Sequence, residues 1–106
     1  MLNMEMLQDF FSDDNEIREI LGQFIETTDS DIQQLEQAIA KRDIREVAEL
    51  AHRIKGSSQV IGAVQMARTV GELEADAIIQ DDHDFDKLYV ALTDTYKYVS
   101  EEIRSI

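Results

Sequence analysis

The sequence predicts an all-α fold, an antiparallel four-helix bundle with a short additional N-terminal helix, built as one domain over residues 1–106. Three observations carry this reading. The chain holds 0 Pro and only 4 Gly, a composition that leaves long helices uninterrupted. Its 106 residues suffice for one hydrophobic core and are too few for two ordinary ones. Finally, apolar residues recur at three-and-four spacing in successive stretches joined by short polar connections, the pattern of antiparallel neighbouring helices.

Upstream of Ser12, the residues Leu2, Met6, Leu7, Phe10 and Phe11 are spaced to form the short extra helix, packed on the end of the bundle. The first long helix is read over about 13 to 41, from the stripe Ile17, Ile20, Leu21, Phe24, Ile25, Ile32, Leu35 and Ile39. Ser12, followed by Asp13, Asp14 and Glu16, supplies a cap and dipole-favourable acids at its start, and Lys41-Arg42 supply cations at its end. The second helix starts after a capping Asp43 and runs through Ile44, Val47, Ala48, Ala51 and Ile54 to the Ser57-Ser58 region. After a turn near Gly62, the third places Met66, Ala67, Val70, Leu73, Ala77 and Ile78 on one face and ends near Gln80. The cluster Asp81-Asp82-His83-Asp84 breaks the pattern. Phe85, Leu88, Tyr89, Leu92, Tyr96, Val99 and Ile103 then make the fourth stripe, which reaches the carboxyl end.

A formal net charge of −13 argues against nucleic acid and against an anionic membrane surface, both of which call for clustered Lys and Arg. A protein or a small molecule is the expected partner. With 0 Cys, disulfides, thiol catalysis and thiolate metal sites are excluded together. The segment Met1 to Met6 carries Glu5 and no basic residue, and the longest apolar run is Val60-Ile61-Gly62-Ala63-Val64, so neither an ordinary signal peptide nor a membrane span is expected. The cytoplasm is the default compartment. No Gly-rich phosphate loop occurs, and no cofactor is expected.

One stretch concentrates chemistry. Residues 51 to 58, "AHRIKGSS", place His52, Lys55 and Gly56 at i, i+3 and i+4 of the second helix. Side chains on a helix lean back over the preceding turn, so the residue at 56 is the natural lid over His52 and a glycine removes it. That absence costs about 1 kcal/mol relative to Ala in a helix interior. An uncovered neutral imidazole is a nucleophile, and a neighbouring ammonium favours an anionic group such as phosphate bonded to it. Residues 50 to 71 contain Arg53, Lys55 and Arg68 and no Asp or Glu, which keeps carboxylate repulsion away from such an anion. A lone helical histidine is more often a surface or satisfied core residue, and spacing alone leaves both readings open.

The stretch "AHRIKGSSQVIGAVQMARTVGELE", Ala51 to Glu74, resembles the core of histidine-containing phosphotransfer (HPt) domains. Their pattern is roughly His-x-aliphatic-Lys-Gly-Ser/Ala-Ser/Ala, a Gly about ten residues after the His, and Leu-Glu near the end of the next helix, matched here by His52, Ile54, Lys55, Gly56, Ser57, Ser58, Gly62, Leu73 and Glu74. The upstream "DFFSDDNEIREILGQFIETTDSDIQQLEQAIAKRD" is similar to the first long helix of the family and its charged turn. The resemblance implies a phosphorelay intermediate of two-component signalling, a carrier without catalytic activity of its own. His52 accepts a phosphoryl group on Nε2 from a receiver-domain aspartate, Lys55 stabilises it, and Gly56 leaves space for the partner's active site. Glu74 holds the other ring nitrogen and orients the ring. Response-regulator receiver domains and a hybrid sensor histidine kinase are the implied partners of a monomer, met through a surface that includes Ala48, Arg53 and Gln59. The initial Met favours a free-standing protein over a module of a larger kinase.

Two rival readings are open to the sequence. "DDHDFD", Asp81 to Asp86, begins like a calcium loop with Asp82, Asp84 and Asp86, but its sixth position is Lys87 and its twelfth is Thr93 where Gly and Glu are required; a solvated loop with helix-capping Asp residues is expected instead. A ferritin-like metal bundle needs inward Glu-x-x-His pairs, and only Glu49 with His52 fits, since Gln80 precedes His83. A helical adaptor that binds a partner without phosphotransfer is the remaining alternative.

Overall fold

In the computed structural model, which describes residues 2–11 and 13–106, the four apolar stripes fold as α2 (Asp14–Ala40), α3 (Ile44–Val60), α4 (Val64–Ile78) and α5 (Phe85–Arg104), preceded by the short α1 (Met4–Phe10). At 1.5 Å of rise per residue, a helix the length of α2 runs for about 40 Å, which matches the 42 Å long axis of the molecule. α2 packs on α3, α3 on α4, α4 on α5, and α5 closes the ring against α2, while α1 lies on α2. The predicted all-α bundle with an extra N-terminal helix is therefore the observed architecture. None of the described helices is long and apolar enough to cross a membrane.

The helix starts follow the capping chemistry of the sequence, with two departures. The expected Ser12 cap lies outside the described residues, and Asp13 caps α2, its Oδ1 accepting from the Asn15 amide at 2.9 Å. Asp43 caps α3 as expected, accepting from the Glu46 amide at 3.2 Å. Asp84 stands at the N-cap of α5, yet its side chain makes no capping hydrogen bond. The acidic loop is instead organised by Arg42, whose Nε lies 3.5 Å from Asp82 Oδ2 and whose guanidinium bonds Asp86 Oδ2 at 3.1 Å above the Phe85 ring.

Three helices end the same way. At α2, α3 and α4 a residue with φ of +54° (Arg42), +74° (Gly62) or +61° (Gln80) follows the cap, and the next two amides turn back onto the last turn. Asp43 N reaches Ala38 O at 2.9 Å, Ala63 N reaches Ser58 O at 2.9 Å, and Asp81 N reaches Asp76 O at 2.9 Å. These are Schellman motifs, which satisfy carbonyls that would otherwise be orphaned at a helix end.

The core is the apolar interior of the ring: Leu21, Phe24, Leu35, Val47, Ile54, Met66, Leu73, Phe85, Leu92 and Val99 are all buried, with Leu7 of α1 closing one end. Ile78, expected on the buried face of α4, is 66 % exposed. The buried face of α4 runs through Met66, Val70, Leu73 and Ala77, and residue 78 falls about 100° beyond Ala77 on the helical wheel. Phe10, expected to pack on the end of the bundle, is likewise exposed, whereas Leu7 one turn earlier is buried. α5 is pinned to α2 by two phenols, Tyr96 donating to Asp29 Oδ1 at 2.5 Å and Tyr89 donating to Glu36 Oε2 at 2.9 Å. Partial burial and the Glu36 carboxylate push the Tyr89 phenol up to about 12, so it stays a donor. Thr28 Oγ1, also facing the core from α2, is buried without a hydrogen-bond partner among the described residues.

Gly62 is fixed twice over. Its φ lies in the left-handed region, and a Cβ there would stand 2.8 Å from Asn3 Cβ and 3.0 Å from Met6 Cε. The α3–α4 turn and the seating of α1 thus depend on one missing side chain. Gly62→Ala is expected to lower stability by about 1–2 kcal/mol from the backbone alone, with further loss from the displaced α1. Thermal unfolding followed by circular dichroism checks this, and an unchanged midpoint would contradict it.

Candidate functional site

The α3–α4 hairpin brings residues 22 apart in sequence side by side. On α3, Val47, Leu50, Ala51, Ile54 and Ser58 turn into the core. The helical period then leaves His52, Lys55, Gly56 and Gln59 along the edge of α3 that borders α4. On α4 the neighbour of the buried Leu73 is Glu74, which is only 8 % exposed.

Glu74 joins the predicted residues into a cluster. His52 Nδ1 donates to Glu74 Oε2 at 2.7 Å, and the Lys55 ammonium bonds Glu74 Oε1 at 2.5 Å. The Lys55 stem crosses α4 at Gly71, where a Cβ would come 3.5 Å from its Cδ. Burial pushes the Glu74 carboxyl up, but the hydrogen bonds and charges of Lys55 and His52 outweigh it and hold the group below its ordinary value. Both oxygens of this buried acid are satisfied by charge-assisted or polar donors, which is the condition for keeping a carboxylate away from water.

An ionised carboxylate can only accept, so in the neutral ring the proton sits on Nδ1 and Nε2 carries the lone pair. The His52 side chain is 73 % exposed, and its hydrogen-bonded edge faces Glu74, so Nε2 is the solvent-facing nitrogen. One turn along, nothing among the described residues lies within 4 Å of the point where a Gly56 Cβ would stand. Packing therefore does not require a glycine at 56; the position is open, next to the exposed His52 ring.

The other predicted surface residues divide. Gln59 is exposed, and Ala48 is half-buried one turn before His52 on the same edge. Arg53 is turned the opposite way: its Nε and Nη2 bond Asp31 of α2 at 3.1 and 2.7 Å, a bidentate pair with a buried carboxylate. The Asp31 hydrogen bond and charge raise the Arg53 pKa, and the fork braces α2 against α3. Of the three cations between residues 50 and 71, Arg53 and Lys55 are thus internally paired; Arg68 is exposed and has no ion pair among the described residues.

Beside Gly56 the surface becomes apolar. Met6, Phe10 and Phe11 of the N-terminal segment face Gly56, Gln59 and Val60 of α3 around a shallow groove of about 500 Å³. Through Met6 and Gln59 it continues to Val64, Ala67 and Arg68 of α4. The sequence marks no particular N-terminal residue for this surface. One signal is present in it: with Leu7 buried, Phe10 and the adjacent Phe11 cannot both share its face. Asp31, the buried partner of Arg53, is a further residue that the sequence reading passes over, although its place between Thr28 and Leu35 puts an acid on the apolar face of α2.

The metal readings meet a different geometry. Asp82 and Asp86 both face Arg42, and Glu49 is exposed, 3.5 Å from Arg45 Nε, instead of pointing into the bundle with His52. Among the described residues, no group of three or more His, Cys, Asp or Glu is arranged to hold a metal ion.

Comparison with known proteins bears on the family and the fold. The family model described as Hpt domain matches residues 19–102. The sensor histidine kinase AruS of Pseudomonas aeruginosa is 34 % identical over 59 residues, which make up 56 % of this chain and 6 % of that kinase. The chain thus spans a small fraction of the length of that relative. The crystal structure of histidine-containing phosphotransfer protein B (HptB) from Pseudomonas aeruginosa shares the fold with a TM-score of 0.91 at 22 % identity, over 98 % of this chain and 91 % of the other. With the match spanning four helices and the His52 motif, the chain belongs to the Hpt domain family.

Proposed function

We propose that this Hpt domain is a phosphorelay intermediate in which His52 takes a phosphoryl group from an aspartyl phosphate of one receiver domain and passes it to an aspartate of another. The observation that carries this reading is the hydrogen bond from His52 Nδ1 to Glu74, which leaves Nε2 bare and exposed beside the open Gly56. Attack by the Nε2 lone pair on phosphorus forms the N–P bond as the P–O bond to aspartate breaks, and the carboxylate leaves with the electron pair. Nε2 has no proton to lose, so the step needs no base. Phosphoryl transfer depends chiefly on in-line positioning and charge neutralisation. The open side above Gly56 supplies the approach, and Lys55 supplies the charge.

The groove lined by Met6, Phe10, Phe11, Gly56, Gln59 and Val60 is the surface on which a receiver domain docks, with Arg68 at its far end as a cation free to meet an acidic partner. A small apolar patch with a polar rim suits a transient encounter, as a relay between successive partners requires. In this reading the chain is a carrier, and the receiver domain provides the remaining catalytic groups. An adaptor that docks on the same groove without phosphotransfer is separated from it by the following experiment.

Incubation with a phosphorylated receiver domain is expected to place an acid-labile, base-stable phosphoryl group on the wild type and none on His52→Gln; equal labelling of both proteins would refute the assignment. Gly56→Leu is expected to fold, since its side chain enters open space and helix propensity improves by up to about 1 kcal/mol. Its transfer rate should nevertheless fall by about tenfold or more, a barrier increase of about 1.4 kcal/mol. Wild-type rates in a folded Gly56→Leu protein would show that the open side is not used.

A further inference from the structure

Glu74 offers its two oxygens to two different partners on α3, Oε1 to the Lys55 ammonium and Oε2 to His52 Nδ1. Before phosphorylation the cluster is balanced, one anion against one cation with a neutral imidazole. A phosphorus atom on Nε2 changes that balance. A ring that keeps its Nδ1 proton while Nε2 is phosphorylated is an imidazolium, and the phosphoryl oxygens add negative charge on its outer side. Resting on the reading of His52 as acceptor, we propose that Glu74 is a charge-exchange residue: on phosphorylation it takes the cationic ring as its partner and releases Lys55 to the phosphoryl oxygens, holding the phosphohistidine in its protonated, transfer-ready form.

The geometry decides which partner leaves. Glu74 is too enclosed to follow either donor outward, and the short His52 side chain is fixed to α3, whereas Lys55 has a four-carbon stem and is 31 % exposed. The stem lies over Gly71, which has no side chain to block its path. The charged groups around the ring are few. α4 contributes Glu74, and α3 contributes Lys55 and, one turn before His52, Glu49, which is drawn to Arg45. Arg53 is held by Asp31 of α2, while Glu72 and Asp76 of α4 line the groove toward α5. The charge that touches Nδ1 is that of Glu74.

The exchange has a chemical consequence. With Nδ1 bare, breaking the N–P bond would expel an imidazolate anion; with the proton held, it expels neutral imidazole. When a receiver carboxylate attacks phosphorus, the N–P electron pair returns to Nε2, the neutral ring is restored and Glu74 recaptures Lys55. The Nδ1 proton stays in place throughout both half-reactions, so loading and unloading run without proton transfer to solvent.

Glu74→Gln keeps the size of the side chain and an oxygen acceptor for Nδ1–H but removes the charge. After phosphorylation of both proteins with a small-molecule phosphoramidate, ¹⁵N signals of the His52 ring are followed across pH. The Nδ1 proton is expected to be lost at a pH lower by about one unit or more in Glu74→Gln, the phosphoryl group to hydrolyse several-fold more slowly at mildly alkaline pH, and Glu74→Asp to stay nearer the wild type. Lys55 side-chain signals are expected to shift on phosphorylation of the wild type. Superimposable Nδ1 titrations of wild type and Glu74→Gln, or unmoved Lys55 signals, would overturn the exchange while leaving His52 as the acceptor. A wild type that yields no phosphohistidine would overturn both.

Discussion

A carboxylate enclosed between two helices stays ionised only if donors surround it, and two such acids fix α3 from opposite sides. Asp31 on α2 takes the fork of Arg53, and Glu74 on α4 takes His52 Nδ1 and the Lys55 ammonium. Adjacent residues of one helix therefore reach in opposite directions, and each is satisfied only at one rotation of α3 about its axis. At that rotation Val47, Ala51 and Ile54 are in the core and Nε2 of His52 faces outward. The same interactions that settle the packing settle which ring nitrogen is left open to solvent.

The turn at Gly62 links this arrangement to the apolar groove beside Gly56. Its left-handed backbone lets α4 fold back along α3, which brings Glu74 to the level of His52, and its missing side chain lets α1 settle against the turn. α1 in turn carries Met6 and Phe10 to the rim of the groove beside Gly56. No Asp or Glu among the described residues lines this groove, and two of the three cations between residues 50 and 71 are used internally. The face beside Gly56 is therefore apolar, with the Arg68 guanidinium, unpaired among the described residues, at its far end.

Much of this was legible in the sequence because helical periodicity is a strong signal over stretches as long as α2 or α5. The four long helices lie within two residues of their expected limits at most ends, and the cluster of His52, Lys55 and Glu74 follows from the motif and a hairpin turning at Gly62. The features that were hidden depend on tertiary context. Arg42 and Gln80 close helices in left-handed conformations that sequence rules assign to glycine, and only Gly62 announces itself. Ile78 looks like core until the rotation of α4 is fixed by Leu73 and Glu74. Gly22 is as open as Gly56 but lies on a helix without a histidine, so openness by itself marks no site. The apolar α1 residues could not be divided between core and surface before the seat of Leu7 was known.

Everything proposed for the site turns on Glu74 fixing the proton on Nδ1 of the resting His52 ring. The most direct measurement is ¹⁵N spectroscopy of that ring in the unphosphorylated protein, at a pH where the imidazole is neutral. A protonated Nδ1 and a bare Nε2 are expected. A ring with its proton on Nε2, or one divided evenly between the two tautomers, would contradict this.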